Sequence, residues 1–242
     1  MKKLKEILSS PKSNVAAFIA IVSLILAVTI GAASAAVAYV AETYSNRVDM
    51  IEIGVSVIEN GDRISWRDYV SQNNGEWDEN VGTLFTNMLA NGEKINLGKA
   101  YTERISIRNS GTINEYVRVT IYKSWVDEKT GVKQANLNPD YIELHLVGLD
   151  QDWLEDVTAK TSERTVLYYN RRLNSGEETP LLSDLLTIST RIYGHGDAYN
   201  GKKFMVEIKV DAIQEQNGQD AAVSAWGRHV IIDPDSGTLR LG

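Results

Sequence analysis

From residue 50 onward, apolar side chains recur at every second position in short runs closed by Gly, Asn or Asp, a period that a half-buried β-strand satisfies and a helix does not. In residues 50–59, Ile51, Ile53, Val55 and Val57 share one face while Glu52, Gly54 and Ser56 share the other. Residues 101–108 set Ile105 and Ile107 between Arg104, Ser106 and Arg108, and Asn109-Ser110-Gly111 closes the run with turn chemistry. Residues 116–125 alternate Val117, Val119 and Ile121 against Tyr116, Arg118, Thr120 and Tyr122, so the two runs read as an antiparallel hairpin. Further strands are expected at 141–147, 165–169, 185–193, 203–212, 228–232 and 238–241.

Two short helices are expected as crossovers. Residues 76–89 mix Trp77, Val81, Leu84, Phe85 and Met88 at spacings of three and four. Residues 220–226 have Asp220 placed as an N-cap and Gly227 as the stop. Many strands, irregular connections and little helix indicate an all-β chain, a jelly-roll-like antiparallel β-sandwich. Cysteine is absent, which removes disulfides, thiolate zinc sites and thiol nucleophiles, but about 200 residues can bury a core without them.

Ahead of the strands, residues 15–41 carry no charge and follow a lysine-rich start. A basic segment, an apolar core and small residues near its end are what a signal peptidase reads, and Ala33-Ser34-Ala35 and Ala36-Val37-Ala38 both fit its small-x-small rule. The stretch also exceeds the ~20 apolar residues that span a bilayer, so an uncleaved signal/transmembrane helix is the alternative. Residues 1–38 hold four Lys and one Glu of the chain's 25 basic and 32 acidic residues, which leaves 21 against 31 beyond them, a net charge of −10. That balance excludes nucleic acid as an expected partner. No LPxTG-type sorting motif occurs, and a cleaved chain is expected to carry no covalent anchor.

Four stretches carry a family likeness. They are Gly31-Ala-Ala-Ser-Ala-Ala-Val-Ala-Tyr-Val-Ala41 before the first strand, Arg108-Asn-Ser-Gly-Thr112 with Tyr116-Val-Arg-Val119, Leu173-Asn-Ser-Gly-Glu-Glu-Thr-Pro-Leu181, and Asp211-Ala-Ile-Gln214 with Asp220-Ala-Ala222 and Ala225-Trp-Gly227. Together they resemble the TasA/camelysin family of exported proteins of spore-forming Gram-positive bacteria, processed by a SipW-type signal peptidase. The chain has Val40 and Glu42 where members usually carry phenylalanine and aspartate. The resemblance implies cleavage between Ala38 and Tyr39, with Ala36 and Ala38 as the small residues of the site, and a jelly-roll domain. It also implies biofilm matrix fibres built by donor-strand complementation.

On that basis residues 1–38 are the expected signal peptide, 39–48 a donor strand or flexible leader, and 49–242 the sandwich domain. Tyr39, Val40, Ala41, Tyr44 and Val48 are the candidate donor residues. The expected function is an exported structural subunit of the extracellular matrix or cell surface, whose partners are further copies of itself, the signal peptidase and an extracellular polysaccharide. The alternative is a monomeric secreted module that binds wall polymer or polysaccharide.

Camelysin members have been described as metalloproteases, which makes zinc the first chemistry to seek. HExxH, which puts two imidazoles and a glutamate base on one helix face, does not occur. His145, His195 and His229 are scattered singly, so neither a catalytic residue nor a metal ligand is assigned and no cofactor is expected. Asp233-Pro234-Asp235-Ser236-Gly237 offers two carboxylates but lacks the further oxygens of a calcium loop, and a hairpin turn accounts for it. No GxSxG nucleophile motif is present. Five Trp and eleven Tyr could supply a sugar platform, with Trp66-Arg67-Asp68-Tyr69 as the least strand-like candidate.

Overall fold

The computed structural model describes residues 53–70, 75–89 and 94–242 of the chain. They form two antiparallel sheets packed face to face, so the sandwich expected from the alternation is present. In chain order the strands are β1 (Gly54–Glu59), β2 (Asp62–Val70), β3 (Glu76–Asn80), β4 (Gly82–Thr83), β5 (Ala100–Asn109), β6 (Glu115–Asp127) and β7 (Ile142–Leu146). There follow β8 (Trp153–Glu155), β9 (Arg164–Tyr169), β10 (Ser183–Ile188), β11 (Lys202–Gln214), the helix α1 (Gly218–Trp226), β12 (Val230–Ile232) and β13 (Leu239–Leu241). One sheet has the order β3-β2-β1-β5-β10-β7, the other β4-β11-β6-β9-β8, and β12 and β13 make a separate hairpin.

The core lies between the sheets. Val55, Val57, Ile105, Ile107 and Leu186 from the first sheet meet Val117, Val119, Leu167, Val206 and Ile208 from the second, and each is fully buried. A second cluster covers the outer face of the β6-containing sheet, where Tyr116, Tyr168 and Ile213 receive Ala222 and Trp226 of α1 with Val230 and Leu239 of the final hairpin. β6 is thus covered on both faces around Tyr116 and Val117, while Tyr122 on the outer face stays 40% exposed. α1 ends at Gly227, whose φ of 64° is the left-handed C-cap conformation that glycine takes without strain. Its N-cap is Asn217 rather than Asp220, which sits in the first turn.

Further sequence expectations are overturned. β5 and β6 do not form a hairpin: β5 pairs with β1 and β10, β6 with β9 and β11, and the intervening loop crosses from one sheet to the other. Asn109 holds that crossing. Its amide donates to the Ile113 and Leu173 carbonyls at 2.8 and 3.0 Å and its Oδ1 accepts the Gly111 N–H at 2.8 Å.

Residues 76–89 are not a helix. They run through β3 and β4 into a turn where Phe85 takes a φ of 65° and gives its N–H to the buried Glu59 carboxylate at 2.8 Å. Trp77 and Val81 stay 41% and 54% exposed while Leu84 and Phe85 are buried, so the apolar residues never shared one helical face. Trp66-Arg67-Asp68-Tyr69 lies inside β2, which follows β1 through Asn60-Gly61 with φ of 53° and 97°, the two-residue turn that matches strand twist. The strand expected at 185–193 also stops early, at Ile188, and a 3-10 segment (Thr190–Tyr199) replaces its end.

Candidate functional site

The residues expected at the cleavage site (Ala36, Ala38, Tyr39) and in the donor segment (Tyr39, Val40, Ala41, Tyr44, Val48) lie outside the described residues. What the structure does describe is the body to which such a segment would add.

Its most unusual feature is the outer edge of β11. This strand pairs with β6 along all thirteen residues, but on its other side only Glu207 and Ile208 are in register with β4. The Leu84 N–H reaches the Val206 carbonyl at 2.9 Å across that edge. Because backbone direction alternates along a strand, the amides and carbonyls of Val210, Ala212 and Gln214 face the same way as those of Val206. They have no ladder partner among the described residues.

A charged cluster borders this edge. Asp211 is 3% exposed and receives Arg67 from the other sheet at 3.0 Å and Arg118 from β6 at 2.8 Å. Arg67 also stacks 4.2 Å over the Trp77 ring and meets Glu79 at 3.2 Å, while Tyr69 packs edge-on against Trp77 at 5.5 Å. Trp77, not Trp66, is therefore the exposed ring of the β2–β3 ribbon. The other tryptophans are largely enclosed, Trp125, Trp153 and Trp226 being buried.

At the end of the sandwich where the chain enters β1, Glu115 is fully buried and neither carboxylate oxygen has a hydrogen-bond partner among the described residues. Burial pushes its carboxyl up to about 9. The neighbouring Gly54 N–H pulls the other way without reaching hydrogen-bond geometry, and the Asp68 charge adds to the rise. Glu115 is therefore held as the neutral acid.

The histidines are held apart in separate pairings. His145 meets Asp184 at 2.5 Å, His195 meets the Tyr141 hydroxyl at 2.7 Å, and the His229 carbonyl accepts the Gly242 N–H at 3.2 Å. Among the described residues no three His, Asp or Glu side chains cluster as metal ligands would. Asp233–Gly237 is a hairpin turn. The Asp233 carbonyl takes the Gly237 N–H at 2.9 Å, and its carboxylate accepts the Asp235 N–H at 2.9 Å, which with the Ser236 donors holds the carboxyl below the usual range.

No protein-family model, no curated protein and no solved structure matches this chain. The class defined by fold and site is a two-sheet antiparallel β-sandwich in which, among the described residues, β11 has ladder partners on its outer side only at Glu207 and Ile208.

Proposed function

We propose that this chain is an exported structural subunit of extracellular matrix fibres, assembling head-to-tail as residues 39–48 of one copy add to the sandwich of the next. The observation that carries the reading is the outer edge of β11, where backbone donors and acceptors of Val210, Ala212 and Gln214 lack ladder partners among the described residues. An added strand satisfies such groups, and its alternate side chains set the register. The uncharged leader followed by an all-β body supports export before assembly. The reading needs no catalytic residue and no cofactor.

The deciding experiment is negative-stain microscopy of chain starting at Tyr39 beside chain starting at Asp49. Filaments are expected only from the longer chain. Filaments from both would exclude residues 39–48 as the donor, and filaments from neither would reject the fibre reading. N-terminal sequencing of secreted protein should return Tyr39, and a start at Ala36 would move the cut to Ala33-Ser34-Ala35.

One observation favours the second reading, a polysaccharide-binding module: the exposed Trp77 ring is held by Arg67 and Tyr69 beside Glu79, an aromatic face flanked by polar groups. Retention of the monomer on an insoluble wall polysaccharide, lost in Trp77→Ala, would establish it.

A further inference from the structure

Where β6 ends and β11 begins there is a cavity of about 540 Å³. Its size falls in the ~300–1,000 Å³ range of small-molecule sites, and its lining has their usual make-up, apolar walls with a few placed polar groups. The walls come from separate parts of the chain: Leu97 before β5, Trp125 in β6, Ile188 at the end of β10, Ile192 and Tyr199 in the 3-10 segment, and Phe204 in β11.

Two of these walls are fixed from behind. The Trp125 indole donates to the Asn138 carbonyl at 2.9 Å, and the Asn138 N–H donates to the Tyr199 hydroxyl at 3.1 Å. The two rings meet edge to face at 4.9 Å. A wall tied through one backbone unit keeps its shape when the cavity is empty and loses little entropy when it is filled.

The charged lining is mostly cationic. Lys202 is neutralised by Asp127 at 2.8 Å, and that lysine together with Thr130 holds the Asp127 carboxyl far below its ordinary value. Lys94 and Lys203 are exposed, line the same cavity, and have no carboxylate partner among the described residues. Among the described residues Glu128 is the one acid in the lining. An apolar pocket with two uncommitted ammonium groups and one carboxylate complements a molecule with an apolar body and a single negative head. A cation would meet repulsion, and a neutral amphiphile would leave the lysines unused.

We infer that this cavity is a binding site for a small amphipathic anion of the medium-chain carboxylate class, its chain between Trp125, Ile192 and Phe204 and its carboxylate at Lys94 and Lys203. The site is separate from the β11 edge at Val210–Gln214, so it stands or falls independently of fibre assembly.

The test is calorimetric titration of the full chain with decanoate below its micellar concentration, with decanol and decyltrimethylammonium as comparators. Saturable one-to-one binding of decanoate is expected, at least about tenfold tighter than either comparator. Ile192→Trp should fill the cavity and abolish that binding while the far-ultraviolet spectrum is unchanged. Because Ile192 is buried and its replacement can disturb folding, the surface double variant Lys94→Glu/Lys203→Glu gives a second test. It should weaken decanoate about tenfold and improve decyltrimethylammonium. The inference is overturned by no saturable decanoate binding, by equal affinity for decanol, by binding unchanged in a folded Ile192→Trp chain, or by indifference to the charge reversal.

Discussion

Glu115 is the least comfortable residue of the core, since a carboxyl with no exposed surface and no hydrogen-bond partner among the described residues gains nothing from its charge. Its folded-state value of about 9 lies above the 4.5 of an unhindered glutamate. Between those values the folded chain holds a proton that the unfolded chain has released. Stability from this group is therefore complete below pH 4.5 and is lost as pH rises toward 9, with a limiting slope on the order of 1.4 kcal/mol per pH unit. Glu115→Gln keeps the shape and removes the titration. We expect the variant to match the parent near pH 5 and to exceed it by a few kcal/mol at pH 8.5, measured by urea unfolding followed through tryptophan fluorescence. Parallel stability profiles for the two chains would show that the carboxylate is ionised and solvated in the folded state.

Among the elements, the loop from β5 to β6 decides the architecture, because it sends adjacent strands into opposite sheets. Asn109 is fully buried and bonds one backbone N–H and two carbonyls there; Asn109→Ala removes all three bonds, but the Gly111 N–H keeps the Gly54 carbonyl and the Leu173 carbonyl keeps the Glu115 N–H, so the Ile113 carbonyl is the group that loses its partner. A loss of about 1–3 kcal/mol is expected in chemical denaturation, the cost of one buried carbonyl left unsatisfied. A loss under 0.5 kcal/mol would mean that the crossing is held by strand packing alone.

This loop also marks where sequence reading runs out. Residues 105, 107, 117, 119 and 121 declare two strands with correct inward faces, as do Val55 and Val57 of β1, while for β9 and β11 the alternation marks a strand without its face. Yet Asn109-Ser110-Gly111 is as good a hairpin turn as it is an arch, and only the distant contacts with Leu173 and Gly54 separate the two. Likewise Trp77 to Met88 imitate helical spacing because an edge strand can leave Trp77 in water, whereas Asn60-Gly61 before β2 is a local two-residue turn signal. The cavity walls lie on elements from Leu97 to Phe204, and no local pattern announces them.

At the scale of the whole molecule, a donor at one place on the chain and an acceptor edge at another make a heterologous contact, and such contacts propagate without closing. Chain starting at Asp49 would keep the β11 edge and lack the donor, so it can receive a strand from a growing filament and has none to pass on. It should therefore cap. Added at one part in ten to chain starting at Tyr39, it should hold filaments to about ten subunits, and length should fall in inverse proportion to its share. Val40→Pro in the donor should weaken growth without capping fully, because proline removes one N–H from the added strand and leaves its neighbours able to pair. Lengths measured by electron microscopy, with circular dichroism to confirm the sandwich, separate the cases. If filament length is indifferent to the capping chain, growth does not run through donation of residues 39–48, and lateral association of intact sandwiches through the exposed β2–β3 ribbon becomes the assembly to examine.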